Sequence, residues 1–229
     1  MCGILGFSGI FDHAAFSAGL RSIAHRGPDD SGVFLDEAQQ IGLGHVRLSI
    51  LDLSMLGHQP MVSEDGKVVL VFNGEIYNFR ELRSELEGRG FSFRGHSDTE
   101  VLLNLYLADG EAILPRLNGI FTFVVWDGRN RSLFVARDGL GVKPLYYFQS
   151  TRGFAFASEI KALLCLMASE GRELDAVALH RYLSFLWCPG EGTPLKSVRK
   201  VLPGEAMVVR EGPLSMPIRC TCAYKSAAG

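Results

Sequence analysis

Val68-Val69-Leu70-Val71-Phe72-Asn73-Gly74-Glu75 is the stretch that decides the fold. Its five apolar residues run together without the polar alternation of a half-solvated strand. A strand of this kind is covered on both faces. Ile120-Phe121-Thr122-Phe123-Val124-Val125-Trp126 and Ser132-Leu133-Phe134-Val135-Ala136 repeat the pattern around the turn Asp127-Gly128-Arg129-Asn130. Leu145–Phe148 and Phe154–Ala157 predict a second hairpin; Gly3–Ile10, Ile41–Ile50 and Ala206–Arg210 predict further strands. Helical spacing falls over Phe16–Ile23, Phe79–Glu87, the run after Ser97, Ile160–Met167 and Asp175–Leu186. These helices sit between clusters of strands instead of alternating with them, which reads as α+β. Two antiparallel sheets packed together, each with helices outside, would cover every apolar strand on both faces.

Asn73-Gly74 alone is a hairpin signal. The residues after it argue for a strand–loop–helix junction instead. Asn78 can cap a helix whose Phe79, Leu82 and Leu86 share a face, and Gly88 or Gly90 stops it. Ser97-Asp98-Thr99-Glu100 matches a capping box, with Ser97 as N-cap, and in that reading Asp98 is an acidic residue favourably placed in a first turn. His25–Gly32 is a charged loop by composition.

Composition excludes several classes of function. With 47% hydrophobic residues the chain can bury one large core, and a formal charge of −2, without basic or acidic blocks, gives nucleic acid no footprint. No apolar run approaches the roughly 18 residues of a membrane span. No signal-like segment opens the chain, so the expected address is the cytoplasm. Five cysteines at irregular spacing make no disulfide framework, and the six histidines show no metal-ligand spacing, so no metal is expected. Arg137-Asp138-Gly139-Leu140-Gly141-Val142-Lys143-Pro144 is neither a dinucleotide fingerprint nor a Walker loop.

Cys2 is the candidate for chemistry. It is a small residue, so initiator methionine removal would leave a thiol and a free α-amine on one residue. An α-amine titrates at about 7.7–8.0, where a general base is useful at neutral pH, and a thiol needs little activation. Taken alone, Cys2 reads sooner as a small buried hydrophobe opening a strand, and the rest of the chain reverses that.

The motifs around it carry a resemblance. C-G-I-L-G at 2–6, H-R-G-P-D-D-S-G at 25–32, H-V-R-L-S-I-L-D at 45–52, Q-P-M at 59–61, N-G-E-I-Y-N at 73–78, S-D-T-E-V at 97–101, G-x-K-P-L-Y-Y at 141–147, S-E-I-K-A-L at 158–163 and F-L-W-C-P-G-E-G-T-P at 185–194 succeed one another in order. Together they make the chain resemble the class II glutamine amidotransferase domain, an N-terminal-nucleophile hydrolase, and most of all the domain found in glutamine-hydrolysing asparagine synthetases. The resemblance covers residues 2–212. Residues 213–229 read as an irregular tail, the start of a missing or truncated synthetase region.

The resemblance implies a four-layer αββα sandwich of two antiparallel sheets. It implies that Cys2 attacks the side-chain amide of L-glutamine with its own amine as base, and that the Asn73 side chain and the Gly74 N–H form the oxyanion hole, glycine permitting the backbone conformation. Arg47 would grip the substrate carboxylate and Asp98 its ammonium. Backbone around Leu48, Ser49, Ile50, Leu51 and Glu75 would complete the pocket. Arg26 and residues 137–143 are assigned structural or gating roles. The product is ammonia. Its acceptor would be formed in an ATP- and magnesium-dependent synthetase domain marked by S-G-G-x-D-S, a motif these 229 residues lack. No cofactor is therefore expected in this chain. The expected partner is a synthetase domain or subunit, with a homodimer left open. Two other readings stay open: an amidotransferase serving another acceptor (a sugar nucleotide or a secondary metabolite), and an inactive remnant acting as an interaction module.

Overall fold

The computed structural model describes residues 1–49, 54–167, 171–210 and 218–221. Ile50 and Leu51, both read as pocket residues, lie outside the described residues. The strands are β1 (Gly3–Gly9), β2 (Asp30–Asp36), β3 (Ile41–Arg47), β4 (Met61–Val62), β5 (Val68–Ile76), β6 (Gly119–Asp127), β7 (Ser132–Arg137), β8 (Tyr146–Ser150), β9 (Gly153–Ala157), β10 (Val198–Lys200), β11 (Glu205–Arg210) and β12 (Ile218–Thr221). The helices are α1 (His13–Ser22), α2 (Phe79–Gly88), α3 (Asp98–Asp109), α4 (Ile160–Leu166) and α5 (Ala176–Phe185). One sheet runs β10-β8-β9-β1-β3-β2 and the other β12-β11-β7-β6-β5-β4, with antiparallel pairing in both.

The apolar runs are unbroken because their alternate residues enter two different cores. In β5, Val69 and Val71 join Val124, Trp126, Leu133 and Val135 between the sheets, where they meet Ile4, Leu43 and Phe156 of the first sheet. Val68, Leu70 and Phe72 point the other way, to α2 and α3 through Leu82, Leu86, Leu102 and Leu105. On the outer face of the first sheet, Leu5, Phe7 and Ala155 pack on α1 and α4 through Phe16, Leu20 and Leu163. The layers are thus helices, sheet, sheet, helices. Each fully buried Leu or Phe is worth about 1.5–3 kcal/mol, so the middle layer cannot be made polar without unfolding the domain.

Ser97 caps α3 as predicted, accepting the Glu100 N–H at 3.2 Å. The Glu100 carboxylate turns instead to the N–H groups of Arg94 and Gly95. Four local readings differ from the structure. Residues 30–32, read as the end of a loop, open β2, because pairing with β3 overrides their polar composition. Asn73-Gly74 is no junction: β5 continues to Ile76 in register with β6, Asn73 opposite Thr122 and Gly74 opposite Phe121. Asn78 makes no side-chain cap; its amide instead donates to Arg116 O and accepts from Asn118 N–H, tying α2 to the start of β6. Within the segment read as irregular, Ile218–Thr221 pairs with β11, since an edge strand asks only for backbone groups.

Candidate active site

β1 and β3 are antiparallel neighbours with Gly3 opposite Val46, which brings the start of one to the end of the other. Cys2 therefore meets Leu48. The Leu48 N–H donates to Cys2 Sγ at 3.3 Å, and the thiol reaches Leu48 O at 3.6 Å. Burial pushes the Cys2 thiol up, while the Leu48 N–H, the N-terminal amine, Arg47 and Lys143 act in the opposite direction. Arg26 holds the main chain: its Nε donates to Cys2 O at 2.9 Å and its Nη1 to Glu159 Oε1 at 3.0 Å.

The second wall is the end of β5, and its chemistry comes from strand parity. Phe121 gives its N–H to Asp138 Oδ2 and accepts the Asp138 N–H on its carbonyl. The Gly74–Phe121 pair therefore carries no ladder bonds between β5 and β6. Phe72, Gly74 and Ile76 aim their N–H groups away from β6. Phe72 donates to Gln59 Oε1 at 2.7 Å and Ile76 to Asp98 Oδ2 at 3.0 Å. Between them the Gly74 N–H points to the same side, where the cavity lies. Gly74 is not in a left-handed conformation. Glycine is needed there for space, since a Cβ would lie 2.3 Å from Ile120 O and 2.6 Å from Phe121 Cα. This corrects the conformational reason read from the sequence.

Asn73 beside it is 1% exposed, and its Nδ2 has no hydrogen-bond partner. A buried donor left unmade costs about 1–3 kcal/mol, so the group calls for a ligand. Across the sandwich, His45 Nε2 donates to Phe72 O at 3.1 Å. Burial lowers this imidazole to about 4, so it is neutral and ties β3 to β5 next to Asn73.

Asp98 is the first residue of α3, seated by the Ser97 cap. Burial raises its carboxyl to about 6, with the Glu75 charge acting the same way and the N–H groups of Ile76 and Thr99 opposing. Arg47, the last residue of β3, is buried and donates from Nη1 to Ser54 O at 3.0 Å. Gly57 makes room for it: a Cβ there would sit 2.1 Å from Arg47 Nη2.

One cavity is lined by Cys2, Arg47, Leu48, Asn73, Gly74, Glu75 and Asp98, which brings together most of the residues selected from the sequence. Ser49 does not line it, and its N–H goes to Asp29 Oδ2 at 2.7 Å. Gln59, Thr99 and Lys143 line it too; the sequence reading gave Gln59 and Thr99 no role and Lys143 only a place in a segment assigned a structural or gating one. All three sit in motifs that carried the resemblance, Q-P-M, S-D-T-E-V and G-x-K-P, and that was their only signal. Residues 137–143 are tightly organised. Asp138 accepts the N–H groups of Leu140, Val142 and Lys143, and Arg137 donates to the carbonyls of Gly141, Lys143 and Val201. Among the described residues, no three of His, Cys, Asp and Glu are grouped to hold a metal ion, and no helix is long and apolar enough to cross a membrane.

A family model described as a glutamine amidotransferase domain matches residues 1–218. The chain is 44% identical over 188 residues to asparagine synthetase [glutamine-hydrolyzing] 1 of Bacillus subtilis, a stretch covering 82% of this chain and 29% of that protein. It is 39% identical over 192 residues to the amidase chry2 of Gibberella zeae, covering 83% of this chain and 28% of that protein. The chain thus spans less than a third of the length of these curated relatives. Among solved structures, the glutamine phosphoribosylpyrophosphate amidotransferase of B. subtilis superposes with a TM-score of 0.68 at 23% identity, over 92% of this chain and 47% of that one, a likeness of fold.

Proposed function

The chain belongs to the glutamine amidotransferase domain family, and from that we propose that it hydrolyses the side-chain amide of L-glutamine through a γ-glutamyl thioester on Cys2. The observation that carries the reading is the pair of donors at Asn73 Nδ2, buried and without a partner, and Gly74 N–H, both beside the cavity that holds the Cys2 thiol. Donors held in place before the reaction are what a tetrahedral oxyanion requires, and each is worth about 2.7–4 kcal/mol at the transition state.

In this reading Met1 is removed and the freed α-amine of Cys2 takes the thiol proton. Sγ attacks the amide carbon, and the oxyanion settles on Asn73 and Gly74. The proton held by the amine passes to the departing nitrogen, which leaves as ammonia. Water then attacks the thioester and releases glutamate. Arg47 takes the substrate carboxylate and Asp98 its ammonium, with Leu48 and Glu75 closing the pocket. A reducing compartment, the cytoplasm, suits a mechanism that depends on a free thiol.

We assign the ammonia to asparagine synthesis on the strength of the relative at 44% identity. ATP and magnesium belong to the synthetase region of such an enzyme, and no step of theirs falls on these residues. The amidase relative supports a second reading, in which the same glutaminase serves a different acceptor. Glutamate release by the purified chain, compared with Cys2→Ala, tests the chemistry, and equal release by both would sink it. Intact mass should show Met1 lost; full activity with Met1 retained would remove the amine as base. Asparagine formed from aspartate, ATP and glutamine by the chain plus a synthetase region supports the product assignment, and glutamine turnover without asparagine overturns it.

A further inference from the structure

Lys143 is a basic side chain of the cavity: the sequence places it only in a segment read as structural or gating, and the proposed reaction assigns it no task. It is 8% exposed and lines the same space as Cys2 and Asn73. Its Nζ lies 3.4 Å from the Sδ of Met1, the residue joined to the Cys2 nitrogen. A thioether is a weak acceptor and cannot offset a buried ammonium. The lysine is nonetheless held there by its backbone: its N–H goes to Asp138 Oδ2 at 3.1 Å and its carbonyl accepts from Arg137 Nε at 2.7 Å. Asp138 also holds Phe121, the register partner of Gly74, so one carboxylate sets both the lysine and the strand that faces the oxyanion glycine.

The other charged groups near the head of the chain have their own tasks. Arg26 is paired with Glu159 and holds the Cys2 carbonyl. Arg47 donates to Ser54 O, and the proposed reaction gives it the substrate carboxylate. Asp98 and Glu75 line the cavity from α3 and β5, where Asp98 takes the Ile76 N–H.

We propose that Lys143 is a positioning residue for the N-terminus: its ammonium keeps the α-amine uncovered by Met1 removal in the neutral, proton-accepting form and favours the thiolate of Cys2. A free α-amine with an ordinary value of about 7.7–8.0 is mostly protonated at pH 7 and a poor base. A fixed cation nearby disfavours the protonated amine and favours the ionised thiol, so one charge assists both halves of the same residue. It also works against the burial that raises the thiol.

The inference rests on Cys2 being the nucleophile, and the experiment keeps the two claims separable. Lys143→Met retains the length of the side chain and removes its charge; Lys143→Gln carries the same expectation if that variant folds poorly. In either, the acid limb of kcat/KM should move up by about one pH unit, with about tenfold lower kcat/KM below it. Lys143→Arg should restore the limb. Alkylation of Cys2 by iodoacetamide, read by mass spectrometry of the N-terminal peptide, should shift its midpoint upward in the same variants. An unmoved limb and midpoint, or a rise in KM alone, would overturn the proposal and make Lys143 a structural or substrate-contacting residue. Should wild type release no more glutamate than Cys2→Ala, the nucleophile reading fails, while the alkylation midpoint still decides the fate of Lys143.

Discussion

Gly74 stands opposite Phe121, and Phe121 commits both of its backbone groups to Asp138. This pairing turns the Gly74 N–H out of the sheet and into the cavity. It also packs the two backbones so closely that a Cβ on Gly74 would meet Ile120 O at 2.3 Å. Gly74→Ala must push β5 off β6. We expect a stability loss of about 2 kcal/mol, read by urea unfolding, with glutaminase kcat down by about 10²–10³-fold.

Asn73→Ala should separate catalysis from folding. The Nδ2 group makes no hydrogen bond in the fold, so its loss breaks none. Melting temperature should change little, while kcat falls by about 10²–10³-fold at nearly constant KM. A large fall in stability with kcat intact would contradict the assignment.

Arg26 joins the Cys2 carbonyl to Glu159 through one planar fork. Charge-assisted hydrogen bonds are worth about 1.5–3 kcal/mol, so Arg26→Ala should lower kcat roughly ten- to a hundredfold by loosening the nucleophile. Arg26→Lys should not restore it, because an ammonium cannot reach both acceptors in that geometry. Steady-state kinetics on both variants check this.

Gly57→Ala is aimed at glutamine affinity. The new Cβ would lie 2.1 Å from Arg47 Nη2, and the guanidinium, the far end of a flexible side chain, is what would give way. The fold should survive with a melting temperature near wild type. Displacing the group proposed to grip the substrate carboxylate should raise KM about tenfold or more and leave kcat nearly unchanged.

Asp98 provides a pH signature. Its folded-state carboxyl titrates at about 6, above the ordinary value of 3.8, because burial disfavours the charge. Protonation therefore favours the fold: this contribution is fully present below about pH 4 and lost as pH rises through about 6. Asp98→Asn should be more stable than wild type at pH 7 by about 1–3 kcal/mol, and the gap should close at pH 4. The same variant should lose glutamine binding. In the wild type, KM should rise as pH falls below 6, since the proposed partner of the substrate ammonium is the ionised carboxylate. Thermal melts and KM measured at several pH values test both.

Much of the fold was legible because strand and helix periodicities are local. The runs at 68–72, 120–126 and 132–136 could be solved only as strands covered twice, and the structure places their alternate residues in two separate cores. The readings that differ involve residues whose state depends on a distant partner. The charged residues of β2 are ordered by β3, and Asn73-Gly74 is held in the ladder by β6 where a junction into a loop was read. Asn78 abandons its cap for Arg116 and Asn118, some forty residues away.

By itself the sequence determined the chemistry on offer: a thiol at the second position, an Asn-Gly pair after an apolar strand, an arginine, an aspartate at a helix start, and motifs in an order that names the family. The tertiary structure alone decided how these groups are aimed. Which way the Gly74 N–H points depends on the parity of β5 against β6, and that parity depends on Phe121 being taken by Asp138. Why residue 57 has no side chain depends on where Arg47 comes to rest. The presence of Lys143 at the head of the chain depends on a loop clamped 142 residues further along. Direction and proximity of this kind arise from non-local pairing, and no local pattern in a chain encodes them.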